Sequence, residues 1–398
     1  MKRNHPVLTG SAAFRAKLVC MMHATRPLAE RLSHFGLLLL LSGFAAVLAS
    51  CASRPAAGPG PTSPAQARAL IDRSLPGDVT DRAGWVTDLY DGLTELGIEP
   101  TREHICAVVA VTEQESGFHV DPLVPRLGAI AWREIDSRAE HAGLPLMVVH
   151  GVLQLKSPTG QTYSDRIDKA RTEKELSDIF EDFTGSVPLG RTLFASWNPI
   201  RTRGPMQVNV AFAEKFAAAK TYPYPVKVSI ADELFTRRGS LYFGIAHLLA
   251  YGAPYDQYLY RFADYNAGQY ASRNAAFQTA VSIASGVPLV PDGALLPHDR
   301  DANSPGSTEL AARALSGRLN IADSAIHDAL EQARAESFED TSLYKRAFVL
   351  AEKTTGHALP AAIVPRIKLQ GPKIVRSLTT DWYAHRVDER FKRCLADR

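Results

Sequence analysis

Apolar positions along most of this chain recur every three or four residues. In "RAGWVTDLYDGLTELGI" Trp85, Leu89, Leu93 and Leu96 keep that interval, so one stripe of a helix faces a core. The next segment differs. "ICAVVAV", Ile105 to Val111, is apolar on every side, the pattern of a helix surrounded by other elements. Thr101 stands where a side-chain oxygen caps a first turn and Gly117 where the chain leaves the helix, which predicts a central helix over about residues 102–116. Residues 119 to 203, 85 in all, hold shorter amphipathic pieces such as "AWREIDSRAEHAG" and "EKELSDIFEDF", broken by Pro and Gly. Helical spacing resumes in "VAFAEKFAAAK", "GSLYFGIAHLLAYG" and "YDQYLYRFADYNAGQY", and again from Thr308 to the end. Strict alternation is confined to "YPYPVKVSI", and no internal repeat is visible. The fold class expected is mainly α.

The amino-terminal pattern is of another kind. Basic residues precede an apolar run, "FGLLLLLSGFAAVL", that is too short for a comfortable membrane span and has the length of a signal-peptide core. The run ends in "LASC", Leu48 to Cys51, which resembles the lipobox of bacterial lipoproteins. That resemblance implies cleavage before Cys51 and triacylation of its thiol. Ala52, where retained lipoproteins carry aspartate, implies the outer membrane. "ASRPAAGPGPTSPAQ" then reads as a Pro-extended tether with too little apolar surface to fold. The expected organisation is a signal peptide at 1–50, a lipidated cysteine and tether at 51–66, a main domain at 67–285, a linker or loop at 286–307 and a helical region at 308–398.

Composition changes this picture little. The 398 residues are 45% hydrophobic, 22% charged and 8% aromatic, which is globular. Charge is more telling. The formal value is +3, but residues 1–50 hold six Lys and Arg against Glu30 alone, +5, so the remainder carries 3 − 5 = −2. A body so nearly neutral excludes a general nucleic-acid binder. Of four cysteines, Cys20 belongs to the signal and Cys51 to the lipid; Cys106 and Cys394 are left, either paired or as separate thiols. No C-x-x-C or H-E-x-x-H pattern suggests a metal, and no cofactor is expected.

The candidate chemistry begins where the apolar helix ends, at "TEQESGFHVDP". Glu113 and Glu115 lie about 200° apart on a helix and cannot share a face. Together with "GPMQVN" and "ADYNAGQY" downstream, "EQESGFHVDP" resembles the three motifs of the soluble, goose-type lytic transglycosylases of the lysozyme-like superfamily, over roughly residues 80–285. The resemblance implies a lysozyme-like domain and cleavage of the MurNAc–GlcNAc β-1,4 bond of peptidoglycan, with glycan strands as the partner. It places Glu115 as the single acid and base. Three local features favour its protonated form: the buried helix before it, the negative end of the helix dipole, and the lack of a basic residue within the preceding turn.

The resemblance also implies that Ser116, Met206, Gln207, Tyr265, Asn266 and Gly268 line or support the sugar site. Ser116 would orient the sugar or the acid, Met206 pack beneath the cleft, and Gln207 offer a donor and an acceptor. Tyr265 would steer the carboxyl, Asn266 bind a sugar amide or fix its loop, and Gly268 admit a close backbone. Pro205 stands where the family usually has leucine, and Asp264, where it often has alanine, reads as a surface helix residue or as a carboxylate near the cleft that hints at hydrolysis. The 85 residues between the first two motifs exceed the family's spacing, which implies an inserted lobe that narrows specificity, holds a partner or blocks the site. Two alternatives stay open: a non-catalytic murein- or partner-binding lipoprotein on the same fold, and a lysozyme-type hydrolase of the same bond.

Overall fold

A computed structural model describes residues 63–186, 198–297, 304–369 and 376–396. The signal segment, Cys51 and most of the tether lie outside the described residues. The chain is mainly α. The tether is shorter than its composition suggests, because helix α1 (Pro64–Ser74) already begins at Pro64, with the Ser63 side chain accepting from the Gln66 amide.

Two helices follow, α2 (Arg82–Glu95) and α3 (Arg102–Glu115). The 119–203 segment contributes α4 (Leu127–His141), α5 (Leu146–Leu153), α6 (Tyr163–Lys169) and α7 (Glu173–Ser186). A two-residue hairpin, β1 (Thr202–Arg203) and β2 (Val208–Asn209), is antiparallel, pairing Thr202 with Asn209 and Arg203 with Val208. Then come α8 (Val210–Ala219), the short α9 (Ile230–Glu233), α10 (Arg237–Leu249), α11 (Tyr258–Ala267) and α12 (Ala271–Ser285). The carboxyl-terminal stretch holds α13 (Ser307–Arg313), α14 (Ser316–Leu319), α15 (Asp323–Glu331) and α16 (Ser342–Thr355). A second hairpin, β3 (Lys368–Leu369) with β4 (Leu378–Thr379), leads directly into the last helix, α17 (Thr380–Ala396).

Three apolar clusters organise these elements. The first surrounds α3, whose residues from Ile105 to Val111 are almost wholly buried among α1, α2, α10, α11 and α17. This is why α3 tolerates apolar side chains on every face: no face meets water. The second cluster joins Phe277, Ala280 and Val281 of α12 to α13, α15 and α16. Arg273, itself fully buried, locks that junction by donating to the carbonyls of Ala333 (2.6 Å) and Ala335 (3.0 Å). The third cluster draws mainly on the 119–203 segment, with Leu127, Ala131, Tyr163, Ile167, Leu176 and Ile179, and is joined by Phe235 from beyond it.

The carboxyl-terminal region therefore divides: α13 to α16 pack on α12, while α17 returns to the first cluster and lies along α3 and α11. Its stripe of Tyr383, Ala384, Val387, Phe391 and Cys394 is buried there, and Cys394 is disulfide-bonded to Cys106 of α3, with Cα atoms 5.6 Å apart. The alternating "YPYPVKVSI" is not a strand. Tyr222 and Tyr224 instead pack edge-on against Tyr242 of α10, with ring centroids 5.2 and 6.1 Å away, so aromatic packing rather than a sheet accounts for the alternation. Arg237, in the first turn of α10, bridges that helix to α2 through Asp81 and Asp88, the latter at 2.6 Å.

Candidate active site

The end of α3 sets the site. The Thr101 side chain caps its first turn by accepting from the His104 amide at 3.2 Å, and Gly117, at φ +57°, breaks it after Glu115. The two glutamates separate as their spacing requires. Glu113 meets α17 through Arg393 (3.0 Å) and Arg390 (3.2 Å), an ion-pair cluster that joins two helices. Glu115 is half-buried and opens into a cleft of about 610 Å³, where its Oε1 accepts the Tyr383 hydroxyl at 2.5 Å.

The turn between β1 and β2 reaches the same cleft through Gln207. Gly204 has φ +73°, and a Cβ there would lie 1.8 Å from the Leu234 carbonyl, so only glycine fits. Met206 is fully buried against Gly244, and its amide donates to the Ser240 hydroxyl at 3.0 Å. Gln207, at φ +51°, closes the turn and lines the same cleft as Glu115. Its Nε2 donates to Glu173 at 2.9 Å and its Oε1 accepts from Thr202 at 3.0 Å, leaving one acceptor lone pair for a ligand.

The remaining expected residues are placed differently. The Tyr265 hydroxyl donates to the Met206 carbonyl at 2.6 Å, so Tyr265 holds the turn beneath Gln207, and Tyr383 is the phenol on the Glu115 carboxyl. Ser116 turns its hydroxyl back onto the Thr112 carbonyl at 3.2 Å, as helix-terminal serines do. Asn266 accepts from the Thr380 hydroxyl at 2.8 Å and so anchors the start of α17 to the end of α11. Gly268 supplies a φ of +109° at the end of α11, and no atom approaches its missing Cβ. Asp264 is not a surface residue. It is fully buried and accepts from the hydroxyls of Tyr251 and Tyr255 and from the amides of Tyr270 (3.1 Å) and Ser272 (2.7 Å), because the turn into α12 needs an acceptor.

Two residues enter the site without a motif to announce them. Tyr383 comes from α17, and Glu173, only 5% exposed, comes from the first residue of α7, where the helix dipole favours an anion. The bridge between Leu123 and Thr172 and the bond from the Val124 amide to the Arg171 carbonyl (2.9 Å) bring Glu173 and the 122–125 wall together. Burial, and then the charge of Glu115, push the phenols of Tyr265 and Tyr383 well above the usual tyrosine range, so both remain donors. Among the described residues no group of three or more His, Cys, Asp or Glu is arranged to hold a metal ion.

His247 sits between Phe212 and Tyr265, ring centroids 4.6 and 5.0 Å away, and burial pushes its imidazole from 6.5 down to about 4. It is neutral at neutral pH. Below pH 6.5 the unfolded chain binds a proton that the native state refuses, so stability is lost as pH falls towards 4. The expected slope is about 1.4 kcal/mol per pH unit. Urea unfolding of wild type and His247→Gln between these limits isolates it, since the variant removes this slope alone; parallel pH profiles would show that the imidazole titrates normally.

Residues 78–397 match the family described as "Protein of unknown function (DUF1615)". The chain is 49% identical over 353 residues to the Escherichia coli (strain K12) protein called "Uncharacterized protein YaiW", covering 88% of this chain and 95% of that one. No solved structure matches. The matched family span takes in Glu115, the whole 119–203 segment, Gln207 and Tyr383, so every wall of the cleft lies inside one family unit.

Proposed function

We propose that this chain, which belongs to the DUF1615 family, is a murein lytic transglycosylase, with a lysozyme-like body into which residues 119–203 are inserted as a lobe beside the cleft. The observation that carries the reading is the half-buried carboxyl at the end of an apolar helix, held by a buried phenol in a sugar-sized cleft that Gln207 also lines. Glu115 protonates the oxygen leaving the MurNAc C1. Its carboxylate then takes the proton of the MurNAc C6 hydroxyl as that oxygen attacks C1, closing a 1,6-anhydro ring and restoring the acid. No water is consumed. Tyr383, by occupying Oε1, leaves Oε2 to carry the proton.

The site of action is part of the proposal. A lipid on Cys51 would hold the protein at the periplasmic face of the outer membrane, within reach of the glycan strands. The Cys106–Cys394 disulfide fits an oxidising compartment. Among the described residues no helix is long and apolar enough to cross a membrane.

Glu173 favours a second reading. A carboxylate beside Gln207 in the same cleft is what a hydrolase uses to activate water. Incubating the protein with sacculi and weighing the released muropeptides separates the readings. Anhydro-MurNAc ends support the transglycosylase; reducing ends, heavier by one water, support the hydrolase; binding without release supports a non-catalytic murein binder. Tyr383 is a positioning residue, and Tyr383→Phe is expected to lower kcat about tenfold at nearly constant KM, the worth of one charge-assisted hydrogen bond. An unchanged kcat would leave Tyr383 a packing residue.

A further inference from the structure

Most of the cleft's lining comes from residues 122–133: Pro122, Leu123, Val124, Pro125, Arg126, Ile130 and Arg133. The cleft therefore carries both signs of charge: the carboxyls of Glu115 and Glu173 and the guanidinium groups of Arg126 and Arg133. Two arginines of this region are matched, Arg138 by Glu134 (2.7 Å) and Arg166 by Asp182 (2.6 Å). Arg126 and Arg133 are exposed and, among the described residues, have no ion-pair partner.

Their placement is fixed by the lobe. Leu127 and Ala131 of α4 are buried in the third cluster, which turns Arg126, Ile130 and Arg133, four and three residues apart, together onto the cleft. Arg126 is the residue that starts the helix, with φ 59°, and the first turn of α4 carries no acidic residue, so the positive end of the dipole adds to its charge. Seven helical residues place the two guanidinium groups' backbones about 10 Å apart. An extended peptide covers that distance in about three residues. A short acidic peptide is long enough to engage both arginines at once.

We infer that Arg126 and Arg133 form a subsite for the acidic stem peptide carried by the muramyl residue, so that the protein selects peptide-bearing strands over bare glycan. This rests on the murein reading of the cleft. It gives the 119–203 lobe a role in specificity: the lobe supplies the cations, and the body supplies the acid. Guanidinium groups suit the task because they bind carboxylates in a bidentate geometry and stay charged at any working pH.

The test uses binding and turnover separately. Calorimetry compares the GlcNAc–MurNAc disaccharide with and without its tetrapeptide on the full chain, wild type and Arg126→Gln/Arg133→Gln. Wild type is expected to prefer the peptide-bearing disaccharide about tenfold, and the double variant to lose that preference while binding the bare sugar as before. On intact sacculi the double variant should raise KM about tenfold with kcat kept; on amidase-stripped sacculi it should match wild type. Both arginines are exposed, so an unchanged melting temperature controls for folding. Equal affinity of wild type for the two sugars, or a double variant that keeps the preference, overturns the subsite. A wild type that cleaves neither substrate yet binds the peptide-bearing sugar preferentially retains the subsite and overturns the transglycosylase reading.

Discussion

Glu115→Gln is expected to abolish muropeptide release, lowering the initial rate on sacculi about 1,000-fold, while binding and melting temperature stay at wild-type values. The amide is nearly the size of the carboxyl, and its oxygen still accepts the Tyr383 hydroxyl, so the packing of α3 against α17 is kept. What it cannot do is give a proton to the leaving oxygen or take one from the C6 hydroxyl. Both halves of the proposed cycle fail together, and the expected loss corresponds to about 4 kcal/mol of transition-state stabilisation. Glu113→Gln is the matched control. Its carboxylate sits 3.0 Å from Arg393 and 3.2 Å from Arg390, away from the cleft lining. Losing that partly exposed pair should cost about 1 kcal/mol of stability and leave turnover intact. A Glu115→Gln protein that keeps more than about a tenth of wild-type release would sink the single-acid mechanism.

How much of this was written locally in the sequence differs from residue to residue. The central helix was legible because its signals are short-range. The cap at Thr101, the apolar run and the break at Gly117 all act within one or two turns, and the helix spans Arg102–Glu115. The lack of an unburied face on α3 also followed from composition alone. Asp264 was not legible, because its burial depends on tyrosines at 251 and 255 folding over it, and a carboxylate looks the same in sequence whether wet or sequestered. Arg237 hid its role for the same reason: its partners Asp81 and Asp88 are about 150 positions earlier in the chain. Glu173 belongs to a segment with no motif, and only the bridge at Leu123 and Thr172 delivers it to Gln207.

Tyr383 is the instructive case, since a signal existed. Tyr383, Ala384, Val387, Phe391 and Cys394 form a helical stripe, and Cys106 lies on the helix that carries Glu115. If the two cysteines pair, α17 must run along α3. Going from Cys106 to Glu115 climbs about 14 Å, and going back from Cys394 to Tyr383 covers about 16 Å. Two antiparallel helices joined at that point bring Tyr383 level with Glu115, which is where its hydroxyl is found. The geometry was latent in the sequence; the choice between a disulfide and two thiols was the missing bit.

That same bond underlies the largest expected change in stability. The disulfide closes a loop with a sequence separation of 288, and for loops this long the chain-entropy account gives a stabilisation on the order of 5 kcal/mol, much of what a domain possesses. Reduction should therefore lower the melting temperature by on the order of 10 °C. Reduction is a cleaner probe than Cys106→Ser, which would place a hydroxyl in a fully buried pocket and add its own cost. Turnover should fall with it as temperature rises, because α17 carries Tyr383, Arg390 and Arg393 and is the element released. Thiol titration of the native protein supplies the first half of the check and calorimetry with and without reductant the second. If two free thiols titrate, or the midpoint stays put under reductant, then packing alone holds α17 on α3. The register of Tyr383 on Glu115 would then be owed to the apolar stripe and to the Asn266–Thr380 bond at the head of the helix.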